Sequence, residues 1–283
     1  MHRRSIAVLA FAIWTAAFNA HAETLRFAPL PMQNRETVVK QFRPMTSFLE
    51  KKLSTTIVYE YSDGYADLLE KFLQKKIDLA YLGPLPYVEL RRSYEQAEPL
   101  VRFKEKSGNT TYTCSLVTFP DAFFDPYVAE HRKIALTQPL STCGYLSVSG
   151  LLRERGSSLE DNAYRYVGKH DAVALSVLQG QFDAGGLKTA IAGEYTHLGL
   201  QMVAETPPLP AFALVGNTAT LKADQMARIR RLLTDLDPAG KDKAMLASWG
   251  KNIRYGAVMA SDDDYRSVRT LLRDTKIPKK GNF

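Results

Sequence analysis

Apolar residues along this chain fall into two alternating patterns. Short, mostly apolar runs at Leu25 to Ala28, Ile57 to Tyr61 and Ile77 to Tyr81 predict strands. Between them, Val38, Val39, Phe42, Met45, Phe48, Leu49 and Leu53 recur at helical spacing, as do Leu68, Leu69, Phe72 and Leu73. Pro44 is expected to kink or restart the first of these helices, and Ser62 or Asp63 to cap the second. The most telling stretch is Ile77 to Glu89, IDLAYLGPLPYVE, a strand that ends abruptly in a Gly-Pro turn launching a helix.

The second half repeats the order. Tyr112 to Phe119 and Lys133 to Thr137 predict strands, the latter running into Pro139-Leu140-Ser141-Thr142-Cys143-Gly144. A helix through Leu151 and Leu152 ends at Gly156, and a strand (Ala163 to Val167), a helix (Asp171 to Leu178) and a strand (Phe182 to Gly185) follow. Beyond the cluster Pro207, Pro208 and Pro210 come a long amphipathic helix, Leu221 to Leu236, and a last one, Tyr265 to Arg273. Asp262, Asp263 and Asp264 at that helix start complement its dipole, a structural role rather than a metal site. Such alternation defines an α/β protein with mostly parallel sheets flanked by helices. Its repetition predicts two lobes, the first interrupted by the second: 23–108 completed by 212–283, and 109–211. Chain crossings are expected near Ser107 to Thr111 and Thr206 to Phe212. A ligand would lie in the interlobe cleft, where strand ends and helix N-termini present free N–H groups.

Residues 1–22 read as a secretory signal peptide. Arg3 and Arg4 precede an apolar run from Ile6 to Phe18, and Ala20-His21-Ala22 offers a cleavage site after Ala22. The run is shorter than the roughly 20 residues of a membrane span, and no later segment is apolar enough, so the mature chain is expected in the periplasm without membrane insertion. Without Arg3 and Arg4 the charge of +7 falls to +5 and is spread along the chain. No basic stripe with interleaved aromatics argues for nucleic acid, while a mild positive field suits a small anion. Cys114 and Cys143, in an exported chain, point to a disulfide; two free thiols, with Cys143 and His170 acting as a hydrolase pair, is the alternative reading. The five His show no metal spacing, and no cofactor is expected.

Six pieces in order carry a family resemblance: Tyr65-Ala66-Asp67, IDLAYLGPLPYVE, Ser141-Thr142 with Gly144-Tyr145-Leu146, Lys169-His170-Asp171-Ala172, Phe182-Asp183-Ala184-Gly185 and Ser261-Asp262-Asp263-Asp264-Tyr265. With them the chain resembles the periplasmic phosphate, phosphite and phosphonate-binding proteins of ABC importers, over nearly all of its mature length. The resemblance implies a type II periplasmic binding fold, a small oxyanion as ligand, an ABC permease as partner, a monomer, and no catalysis. A sensor of the same fold, reporting an anion to a membrane receptor such as a histidine kinase, is the alternative.

By the same resemblance, Ser141 and Thr142 hold the oxyanion together with the N–H groups of Cys143 and Gly144. Tyr65 would donate its hydroxyl from the opposite side. His170 would donate to the anion or, if charged, pair with it; packing is its alternative role. Tyr81 and Gly83 lie on the Gly-Pro turn, Tyr81 facing either ligand or core, and Lys188 either adds charge near the cleft or lies on the surface. Family members that grip an aminoalkylphosphonate use acidic residues at places that here hold Ala190 and Ala211 or Phe212. Aminoethylphosphonate is therefore not the expected preference.

Overall fold

The computed structural model describes residues 23–273 and 275–283; the signal-peptide expectation for 1–22 lies outside them. In the first lobe, β1 (Thr24–Pro29) leads to α1 (Arg35–Leu53), where Asn34 Oδ1 accepts from the Thr37 N–H at 2.9 Å to cap the start. Pro44 does not interrupt α1. A proline inside a helix costs roughly 3 kcal/mol or more, but Val38, Phe42, Met45 and Leu49 are buried on either side of it, and that packing carries the helix through.

The chain continues through β2 (Thr56–Tyr59), α2 (Tyr65–Leu73), β3 (Leu79–Leu82), α3 (Pro84–Ser93) and β4 (Ala97–Phe103). Gly64, not Ser62 or Asp63, is the N-cap of α2. At the Gly-Pro turn, Gly83 caps α3 and Pro84 is its first residue, as the sequence pattern predicts. Strand β4 has no counterpart in the sequence reading, because Pro99 argues against a central strand. It is accommodated where the pairing register shifts, at a bulge.

A short strand, β5 (Thr111–Tyr112), carries the chain across. The second lobe holds β6 (Cys114–Thr118), β7 (Lys133–Thr137), α4 (Ser147–Arg153), β8 (Ala163–Gly168), α5 (His170–Leu178), β9 (Ala184–Lys188), α6 (Thr189–Ala192) and β10 (Gln201–Glu205). The return strand β11 (Leu209–Pro210) pairs antiparallel with β5. Then follow β12 (Ala213–Asn217), α7 (Ala223–Thr234), α8 (Lys243–Ala247), β13 (Ala257–Met259) and α9 (Arg266–Leu272).

Strand order is β2-β1-β3-β12-β4-β13 in the first sheet and β8-β7-β9-β6-β10 in the second. Each places three parallel strands beside an antiparallel strand that has just arrived from a crossing, β12 or β6. The sheets are thus mixed, with the parallel half setting the cleft. The first core centres on a chain of tilted rings: Phe27 to Phe42 (5.4 Å), Phe42 to Tyr81 (4.8 Å) and Tyr81 to Phe103 (5.8 Å). In the second lobe both sheet faces are covered, one with Leu116, Leu136 and Val148, the other with Val117, Val173 and Leu187.

One segment departs from the expected division. The tail 275–283 does not stay wholly with the first lobe: Ile277 packs against both cores, and from Pro278 on the chain meets the second sheet's edge strand, β8. Asn282 bonds both backbone groups of Tyr164 (N–H to Oδ1 2.7 Å; O from the Asn282 N–H 3.1 Å), and the Tyr166 hydroxyl donates to Pro278 O at 2.9 Å. Covering an exposed edge satisfies its unpaired groups, which is the physical reason for the excursion. Among the described residues no helix is long and apolar enough to cross a membrane.

Candidate ligand site

Between the lobes lies a cavity of about 30 Å³. The first residues of two helices reach its wall, Tyr65 of α2 and His170 of α5, together with Gly83, the cap of α3. They come from opposite lobes and bring the partial positive charge of helix N-termini to one point. Ser141, Thr142, Tyr112, Lys188 and Asn252 add to the polar wall; Leu30, Met32, Pro86, Ile191 and Phe212 make the apolar part.

The donors are individually prepared. His170 is buried, and its Nδ1 accepts the Lys188 backbone N–H at 3.1 Å, which leaves the ring proton on Nε2. Burial, and then the Lys188 ammonium, lower its pKa from 6.5 to about 4. At neutral pH it is therefore an uncharged donor rather than a counter-ion. Burial also raises the phenols of Tyr65 and Tyr112 well above their ordinary range, so both keep their protons. Thr142 Oγ1 accepts from the Leu85 N–H of α3 at 3.1 Å.

These contacts also join the lobes. Besides Thr142 to Leu85, Gln138 of the second lobe accepts from the Tyr65 N–H (3.2 Å) and donates to Pro31 O (3.2 Å), so the lobes meet around the cavity.

Of the nine residues expected at the site, seven line the cavity: Tyr65, Gly83, Ser141, Thr142, Cys143, His170 and Lys188. Tyr81 and Gly144 do not. Tyr81 is a core ring, held between Phe42 and Phe103 and stacked at 5.2 Å on Phe212, which stands between it and the cleft. The Gly144 N–H is spent on Ser141 O at 3.1 Å, and a Cβ there would come within 2.7 Å of Thr137 Oγ1, so glycine serves close approach rather than binding. Cys143 is bonded to Cys114, a 29-residue separation that ties the loop bearing Ser141 and Thr142 to the start of β6. It has no thiol to offer, which removes the hydrolase reading. Lys188 is buried, not on the surface, with its ammonium 2.7 Å from Glu105.

Tyr112, Phe212 and Asn252 also reach the cavity, although the sequence reading did not select them as ligand contacts. The first two sit on or beside the crossing strands, and an aromatic next to each predicted crossing is the signal that could have found them.

The fold and this interlobe site define a two-lobed α/β binding protein of type II. A family profile, that of the ABC transporter phosphonate periplasmic substrate-binding protein, matches residues 27–265, and the chain belongs to this family. The phosphate-import protein PhnD of Mycolicibacterium smegmatis is 26% identical over 174 residues, 58% of this chain and 54% of its own; the match spans about half that relative's length. Among solved structures, PhnD1 of Prochlorococcus marinus in complex with methylphosphonate superposes with a TM-score of 0.77 at 18% identity, over 89% of this chain and 98% of its own. A binding protein component of an ABC phosphonate transporter from Pseudomonas aeruginosa gives 0.74 at 17% identity, over 88% and 85%.

Proposed function

We propose that this protein captures a compact phosphorus oxyanion, namely phosphate, phosphite or a simple alkylphosphonate, and delivers it unchanged to an ABC permease. The observation that carries this reading is the convergence of uncharged donors from both lobes on one small cavity: Tyr65 from the first, Ser141 and His170 from the second, and Tyr112 between them. Hydrogen bonds to an ionised acceptor are roughly twice as strong as neutral ones, so such a set can hold an oxyanion without a dedicated cation. Lys188 is already paired, and Ala190, Ala211 and Phe212 supply no carboxylate for a ligand amine.

In this reading residues 1–22 are removed on export to the periplasm. Residues 23–108 with 212–273 form one moving body and 109–211 the other, and the chain acts as a monomer. Closure on the anion creates the composite surface that a permease reads, so occupancy becomes a conformational signal. The test is titration calorimetry of the exported protein with phosphate, phosphite, methylphosphonate and sulfate. Saturable binding of at least one phosphorus anion, lost when Ser141 and Tyr65 are replaced together by Ala and Phe, is the expected result. No heat with any of the three phosphorus anions would refute the proposal.

A further inference from the structure

Lys188 closes β9 in the second lobe, yet its ammonium lies against the crossings. Nζ is 2.7 Å from Glu105 Oε1, 5.0 Å from the centroid of the Tyr112 ring and 5.5 Å from that of Phe212. Phe212 is fixed from behind by Tyr81 stacked at 5.2 Å, and Glu105 by the turn in which its backbone bonds Asn109 and Gly108. A carboxylate flanked by two ring faces is the chemistry that holds an alkylammonium group. Tyr112, Phe212 and Lys188 also wall the anion cavity, so cage and cavity are continuous.

We infer that this cage is an ammonium subsite of the ligand cavity that the protein fills with its own side chain. Lys188 is then a specificity-determining residue: its ammonium takes the place that the amine of a zwitterionic, aminoalkyl-bearing anion would otherwise occupy. The consequence for ligand choice rests on the oxyanion reading above; the capacity of the cage for an alkylammonium does not.

Two measurements separate these. Lys188→Ala deletes the equivalent of n-propylamine from the cage, so n-propylammonium chloride should raise the melting temperature of that variant saturably. It should not do so for the wild type or for the variant that also carries Glu105→Gln. Absence of a variant-specific shift would overturn the cage. In calorimetry, the affinity ratio of 2-aminoethylphosphonate to methylphosphonate should rise about tenfold or more in Lys188→Ala relative to wild type. Rescue by propylammonium with an unchanged ratio would overturn the role in specificity while leaving the cage; a wild type that binds no phosphorus anion would sink the oxyanion reading instead. Should Lys188→Ala not fold, NMR of the wild type with labelled lysine decides. The Lys188 ammonium resonance should be ring-shifted upfield and should stay in place when anion is added. An unshifted resonance, or one that moves as a direct ligand contact does, would overturn the inference.

Discussion

Acidification should cost this protein stability through a single imidazole. His170 is buried with Nδ1 committed to the Lys188 N–H, and its pKa is about 4 in the folded state against 6.5 ordinarily. Between those values the unfolded chain takes up a proton that the folded one refuses. The stabilising contribution is therefore complete above pH 6.5 and is lost as pH falls towards 4. At 1.36 kcal/mol per pH unit, the gap amounts to about 3 kcal/mol. Replacing His170 by Asn keeps an oxygen where Nδ1 accepts but removes the titration. Urea unfolding of wild type and His170→Asn at intervals from pH 7 to 4 should show wild type losing about 3 kcal/mol more than the variant. Carboxylates that titrate in the same range are common to both proteins and cancel in the difference. If the two stability curves run parallel across that interval, the imidazole is not held neutral by burial and its assignment as an uncharged donor is wrong.

Four further outcomes are expected. Tyr65→Phe and Ser141→Ala should each weaken anion binding by about 1.5 to 3 kcal/mol, the worth of a hydrogen bond to a charged group, with little change in melting temperature; calorimetry beside thermal unfolding reads both. Gly144→Ala would bring a Cβ within 2.7 Å of Thr137 Oγ1 and 3.3 Å of Gln138 O, and overpacking of this kind costs about 1 to 3 kcal/mol; an unchanged urea midpoint would contradict the close-approach account. Replacing Cys114 and Cys143 together by Ser should remove about 3 to 4 kcal/mol for a loop of this length, measured as the difference in unfolding free energy from the oxidised wild type. Gln138→Ala removes two contacts between the lobes but no cavity donor, so it should raise the anion dissociation rate several-fold in stopped flow while leaving the pattern of ligand preference unchanged.

Much of the architecture is legible in the residues because local chemistry and tertiary demand agree. Gly83-Pro84 starts α3 where a glycine cap and a proline at the first helical position favour it. Strand β3 and the middle of β7, each with a parallel neighbour, read as short apolar runs because both their faces are covered. What escaped was set by tertiary context. Strand β4 hides behind Pro99, which only a bulge makes tolerable, and β12 is five residues with a glycine, Gly216, among them. At the site, Tyr65 and His170, to which the family resemblance pointed, line the cavity because each opens a helix whose start faces the cleft. Tyr81 stayed open between ligand and core because a strand-end ring can turn either way with no local sign of which. Tyr112 and Phe212 meet only because two crossing segments pair, a juxtaposition that no single stretch of chain encodes.

The path of the last nine residues sets what a label would report. A dye or purification handle placed at residue 283 would ride on β8, although the preceding helix packs in the opposite lobe, so a distance sensor built with that site and one on α1 would register the closure proposed above. Shortening the chain before Pro278 would strip the leash from one side of that closure and leave the β8 margin open to strand pairing with another molecule.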